Sequence, residues 1–247
     1  MKIIADTHCH TLASTHAYST VAEMADAAAK AGLYAVALTD HGPQMPGAPG
    51  RWYFHNLVAI PRRLSGVLIL RGAEANVVSA AGELDVSPDD IGRLDWIVAS
   101  MHGVTMRDGP LTAEECTEAW LRVAENPAVR VIGHSGSPQF AYDYERVIPE
   151  FGRRGKLVEI NENSFLMRKS SVPNCVKIAN LCKKRGVPVV VNSDAHFHTM
   201  LGSYGHALRM LREIDFPEEL VVNSSIERFR QYLKEYTSVL SEDGSES

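Results

Sequence analysis

Seven of the chain's ten histidines take matching places: His8, His10 and His16 near the start, then His41, His102, His134 and His196. Each follows a short apolar run, and Glu74 and Asp194 share that placement. Imidazole nitrogens and carboxylate oxygens are the donors that borderline divalent ions accept, and no cysteine joins the set. A lone histidine behind a strand is an ordinary surface or hydrogen-bonded residue. Nine nitrogen and oxygen donors repeating one placement from residue 8 to residue 196 instead predict a site for more than one metal ion. His8 and His10 alternate with Cys9, so an extended backbone sends both rings to one side.

The elements that must position these donors are seven apolar, β-branched runs, at 2–6, 34–39, 67–74, 95–100, 129–133, 156–160 and 187–192. Helix-like segments lie between most of them. One opens on a Ser/Thr cap at 19–20 and stops at Gly32. Another pairs Thr112 with Glu115 as a capping box, and a third stops at Gly186. "SIERFRQYLKEYTSVL" reads as a final amphipathic helix. Repeated strand–helix alternation predicts an α/β protein with a parallel sheet, closed into a barrel or doubly wound. In both cases the carboxyl ends of the strands share one face, which is where sites form. The Pro/Gly-dense stretch 41–56 reads as a long functional loop on that face.

The chain has 247 residues, 45% of them hydrophobic, which suits one domain over 1–240 with a polar, frayed tail at 241–247. Net charge is −5 from 25 basic and 30 acidic residues, with no block of one sign. That weighs against long nucleic acid and leaves room for a small anionic ligand. No apolar run reaches the roughly 18 residues of a membrane span, and the first residues lack a signal-peptide core. Cys9, Cys116, Cys175 and Cys182 follow neither a metal nor a disulfide spacing, so they read as reduced thiols of a cytoplasmic protein. Cys175 and Cys182, seven apart on a helix, read as core positions. A homo-oligomer is compatible with this sequence, which leaves the oligomeric state open.

The strings "DTHCH", "LTDHGP", "RGAEAN", "MHG", "GHSG", "EINENSF" and "NSDAHF" together resemble the polymerase and histidinol phosphatase (PHP) superfamily, over residues 6 to about 205. "STHAYST", "TDHGP" and "NSFLMRKSS" narrow the resemblance to its YcdX-type phosphatases. The resemblance implies a distorted seven-stranded (β/α)7 TIM-like barrel and a trinuclear metal centre. Carried onto this chain, one ion takes His8, His10, Glu74 and Asp194. A second takes His16, His41 and His196, and a third takes His102, His134 and a bridging Glu74. Zinc is the first expectation, and iron or manganese accepts the same donors. Ser135 stands where the family often has proline and Ala195 where serine is frequent, and neither position supplies a ligand.

The implied activity is that of a hydrolase acting on phosphoric monoester bonds: a metal-dependent phosphatase of small phosphomonoesters that uses a metal-bound hydroxide. Asp194 is placed to assist proton transfer as well as to ligate. Arg168 and Lys169 precede a helix start near Val172 and read as substrate contacts. His198, beside the Asp194–His196 pair, reads as substrate-facing or supporting, and Arg51 with Trp52 as a lid. Asp6, which shares strand parity with His8, and Asp40, which precedes His41, are the candidates to orient imidazoles. His55 and His206 fall in helix-like segments and read as structural. Glu83, Asp85, Asp89 and Asp90 read as a solvated acidic face. The rivals are a 3′–5′ exonuclease or nucleotide phosphoesterase of the same superfamily, an amidohydrolase, and a non-catalytic metal-binding domain.

Overall fold

The computed structural model describes residues 1–107 and 109–243. Its strands are β1 (Ala5–Cys9), β2 (Ala35–Leu38), β3 (Arg63–Leu64), β4 (Val67–Val77), β5 (Trp96–Met101), β6 (Val129–Ile132), β7 (Leu157–Asn161) and β8 (Val189–Asn192). Seven of them run parallel in the order β1-β2-β4-β5-β6-β7-β8, and β3 pairs antiparallel with β4. This is the expected α/β barrel, nearly closed. β8 and β1, the two ends of the strand order, meet at a seam. Side chains bridge it where a ladder would: Asn223 bonds Ala5 O at 2.7 Å and Val191 O at 2.6 Å, and Asn192 accepts from Thr7 N at 2.8 Å. Backbone contact resumes only at the top, where His10 N donates to Ala195 O at 2.9 Å.

The barrel interior is apolar below and polar above. Alternate residues of the strands (Ala35, Leu68, Trp96, Leu157 and Val190) fill the lower half, and the helix Ile226–Tyr236 plugs it from beneath. The Trp96 ring lies 6.0 Å from Phe229 and 5.9 Å from Tyr232. The same strand faces carry Glu74, Asn76, Glu159, Asn161 and Asn192 one or two layers up, all buried. An apolar floor with a polar roof directs the chemistry to the carboxyl ends of the strands.

Several elements differ from the sequence expectation. β1 starts later and contains His8, and β4 continues three residues past Glu74 to Val77. Pairing with β5 sustains that extension, since Glu74 stands opposite Val98 and Asn76 opposite Ser100. β1 also carries a bulge: Asp6 pairs with Val36, but Cys9 pairs with Leu38, so three steps on one strand match two on the other. The β3–β4 hairpin was hidden in a two-residue Ser65–Gly66 turn, both residues left-handed at φ 52° and 81°. The 41–56 stretch holds a short helix, Arg51–His55. The last helix breaks at Thr237 and resumes as Val239–Glu242. Glu242 and Asp243 pair with Arg62 and Arg63, so the start of the expected frayed tail is fastened; residues 244–247 lie outside the described residues. Both capping boxes form, at Thr20–Glu23 and Thr112–Glu115, and Gly186 closes its helix at φ 67°. Cys182 is core, whereas Cys175 is only partly buried.

Candidate metal centre

All nine donors meet at the top of the barrel, around Glu74. Its Oε1 lies 2.8 Å from His134 Nε2, 3.4 Å from His8 Nε2 and 3.6 Å from His102 Nε2. Its Oε2 lies 2.7 Å from His41 Nδ1 and 3.5 Å from His10 Nε2. One carboxylate therefore faces five imidazoles. Asp194 Oδ1 sits 3.2 Å from His10 Nε2 and 3.6 Å from His8 Nε2. His16 and His196 close the outer side, with ring centroids 4.6 Å apart and His16 Nε2 3.2 Å from His41 Nε2. Within 4.8 Å, donor atoms group as His8–His10–Asp194, His8–Glu74–His134, His41–Glu74–His102 and His10–His41–His196. The triad around His41 and His196 thus takes His10, and His16 belongs to none of these four groups.

This donor set fits divalent ions. His8 Nε2 and His10 Nε2 are buried without a hydrogen-bond partner, and His41 Nδ1 and Glu74 Oε2 face only each other, 2.7 Å apart. Buried polar atoms left so are rare, and atoms that converge on shared space are what cations satisfy. The charges agree. Burial alone would raise Glu74 and Asp194, yet both are held well below the ordinary carboxylate range, Glu74 by His41 and His8, Asp194 by His8 and Arg168. Burial pushes His10 well down and His102 down to about 3, which keeps their rings neutral and able to ligate. Two of these donors also carry left-handed backbone, His134 at φ 24° and Asp194 at φ 56°. Such strain, on the order of 1–3 kcal/mol per residue, gathers at functional sites.

The residues that hold these donor side chains are mostly ones the sequence did not mark. Glu159 Oε1 sits 2.7 Å from His8 Nδ1, and its Oε2 accepts from His134 N at 2.7 Å. Asn76 Oδ1 sits 2.7 Å from His102 Nδ1. Asp6 does not orient an imidazole: the β1 bulge breaks the parity with His8, and Asp6 instead accepts from Ser193 N and from Tyr204 OH at 2.9 Å. Burial pushes its carboxyl up to about 6. Asp40 acts one step removed. It takes Ser14 Oγ at 2.8 Å, Thr11 and Tyr53, and Ser14 in turn lies 3.5 Å from His10 Nδ1.

Asp85 is no solvated acid: it accepts from Asn76 N at 2.8 Å and Asn76 Nδ2 at 2.6 Å, fixing the residue that fixes His102. Gly42 is glycine for the same reason, because any Cβ there would overlap the Asp85 carboxylate. Asp85→Ala removes the acceptor of Asn76 N and Gln44 N and one acceptor of Asn76 Nδ2, and is expected to lower unfolding free energy by about 1–3 kcal/mol, read from urea titration. Glu159→Gln is expected to weaken zinc binding by about 10–100-fold, the usual effect of removing a ligand's carboxylate partner, measured by competition against a chromogenic chelator.

The expected substrate contacts separate. Arg168 reaches the site, where it pairs with Asp194 Oδ2 at 2.7 Å and Asn161 Oδ1 at 3.0 Å. Lys169 is exposed and lies outside the cavity lining. Arg51 turns away to Asp90 and Asp89, because the helical turn Pro88–Ile91 lies beneath it. His198 is taken by Ser19 Oγ at 3.0 Å. His55 stands beside Asp90, and His206 pairs with Glu162 at 2.7 Å. The donors open into a cavity of about 370 Å³ that reaches Met45, Val104, Gln139 and Phe140.

A parallel barrel with this donor set at its mouth is matched by the PHP domain family model over residues 6–163, and the chain belongs to that family. It is 46% identical over 95% of its length, and 96% of the relative's, to a protein of Acetivibrio thermocellus named "Probable phosphatase". A "Probable phosphatase" of Clostridium botulinum is 44% identical over the same shares. Among solved structures, histidinol phosphate phosphatase of Lactococcus lactis, complexed with zinc, L-histidinol and phosphate, superposes with a TM-score of 0.59 at 15% identity. The match covers 88% of this chain and 95% of that one, and it supports the fold.

Proposed function

We propose that the chain is a metal-dependent phosphatase of small phosphomonoesters, with three ions, zinc first among them, held by His8, His10, His16, His41, Glu74, His102, His134, Asp194 and His196. The observation that carries this reading is the convergence of orphaned buried donors around Glu74, in a chain whose full-length relatives are named phosphatases. Bound ions supply an acidified water and Lewis-acid contacts for phosphate oxygens. The chain's own residues do the rest. Glu159 and Asn76 fix the rings of His8 and His102. Arg168 places a guanidinium at the cavity wall, where its planar fork suits a phosphate. Asp194, between His10 and Arg168, is the carboxylate placed to pass a proton.

Four unpaired cysteines, three of them buried, fit a reducing cytoplasm, and no described helix is long and apolar enough to cross a membrane. The nucleotide-cleaving alternative fits less well, because Arg168 is the one Lys or Arg lining the cavity among the described residues. The test is elemental analysis together with a screen of zinc-loaded protein against p-nitrophenyl phosphate, sugar phosphates, nucleotides and histidinol phosphate. Two to three metals per chain and turnover of monoesters are expected. A metal content near zero, with no rescue by zinc or manganese, overturns the reading.

A further inference from the structure

The cavity wall facing the donors is neutral. Apart from the ligands and Arg168, the described lining consists of Met45, Met101, Val104, Phe140, Ser137 and Gln139, with Gly103 between. These come from the end of β5 and the loops after β2, β5 and β6, one continuous sector of the barrel once β4 is counted between them. Met101 and Phe140 are buried, while Val104 is 69% exposed at the lip. Gln139 lies over Gly103, its Nε2 2.7 Å from where a Cβ would stand, so it caps the sector with one amide. Exposed Tyr18, Met167 and Phe197 stand in loops of the same barrel face. Among the described residues, no carboxylate lines this sector to take an ammonium, and no cation lines it to take a second anionic group.

From this we infer that the substrate's leaving group is uncharged and compact, with an apolar face that lies on Met45, Met101, Val104 and Phe140 and a polar edge that meets Gln139. The inference rests on the phosphatase reading and narrows its substrate class. A charged leaving group entering this sector would lose water without gaining a partner, whereas an apolar one gains from burial. A volume near 370 Å³ sits at the small end of ligand pockets and must also hold the phosphate, so the part of the leaving group that it buries is compact.

Phosphonates test this without turnover, so leaving-group acidity plays no part. Binding to the zinc-loaded full chain would be measured by calorimetry for methylphosphonate, benzylphosphonate, 2-aminoethylphosphonate and phosphonoacetate. Benzylphosphonate is expected to bind about tenfold tighter than methylphosphonate, and both charged compounds no tighter than methylphosphonate. Phe140→Ala should erase the benzyl gain, so that benzyl- and methylphosphonate bind this variant alike. Val104→Lys, at an exposed position that the fold tolerates, should raise phosphonoacetate above methylphosphonate. Equal affinity for benzyl- and methylphosphonate, or tighter binding of the aminoethyl compound, overturns the neutral sector while the phosphatase reading stands. Failure of every phosphonate and of inorganic phosphate to bind overturns both.

Discussion

Asp194→Asn is expected to lower phosphatase kcat/KM by about 10³-fold or more, the scale seen when one preorganised electrostatic group is removed from an active site. The carboxylate does two jobs that an amide cannot share. Its Oδ1 faces His8 and His10, where a charged oxygen completes the donor group, and its Oδ2 holds Arg168. An asparagine keeps one oxygen and turns an NH2 toward either the imidazoles or the guanidinium. It is also the substitution least confounded by backbone. Asp194 sits at φ 56°, and asparagine accepts that region nearly as readily as aspartate, whereas alanine would add strain. The variant should therefore melt close to the wild type when both are metal-free, since one of several crowded buried carboxylates is gone. Steady-state assays at saturating zinc, paired with thermal melts, check this. Retention of more than a tenth of wild-type kcat/KM would remove Asp194 from the site.

The candidate donors were legible because most of them follow or end an apolar run, and a parallel barrel gathers the ends of its strands whatever the helices do. The supporting residues were not legible for the opposite reason. Glu159 lies inside a strand, in "KLVEINEN", and reads as an ordinary strand residue until the barrel places it under His8. The signal was there, since a carboxylate on the inner face of a fully buried strand needs a partner. Asn76 was missed because β4 was expected to end at Glu74, and the extra residues exist only through pairing with β5. Asp85 reads as one of a run of surface acids, and only the fold brings it back to Asn76 and Gly42. Asp6 failed through a single bulge, which period-two reasoning cannot foresee. Local pattern thus gives the donors, and long-range register gives what orients them.

Stripping the metals is the second large effect. Dialysis against a strong chelator is expected to lower Tm by about 10 °C or more. Ligand present at a thousand times its dissociation constant adds about 4.1 kcal/mol to the native state, and a chain of this size loses or gains about 2–4 °C per kcal/mol. The structural reason is the crowding of Glu74, Glu159 and Asp194, all buried, around His8 and His10, whose Nε2 atoms have no hydrogen-bond partner. Protons are a poor substitute for ions there. They can charge His8, which Glu159, Glu74 and Asp194 favour against burial, but His10 resists protonation through burial and its neighbour His41. Cations satisfy both at once, because they neutralise the carboxylates without asking a desolvated imidazole to carry charge. Zinc added back in small molar excess should restore Tm and activity together, and magnesium, which prefers an all-oxygen shell, should restore neither. An unchanged melting curve after chelation, with metal loss verified by elemental analysis, would mean that the cluster holds its charges without ions and that the metal reading is wrong.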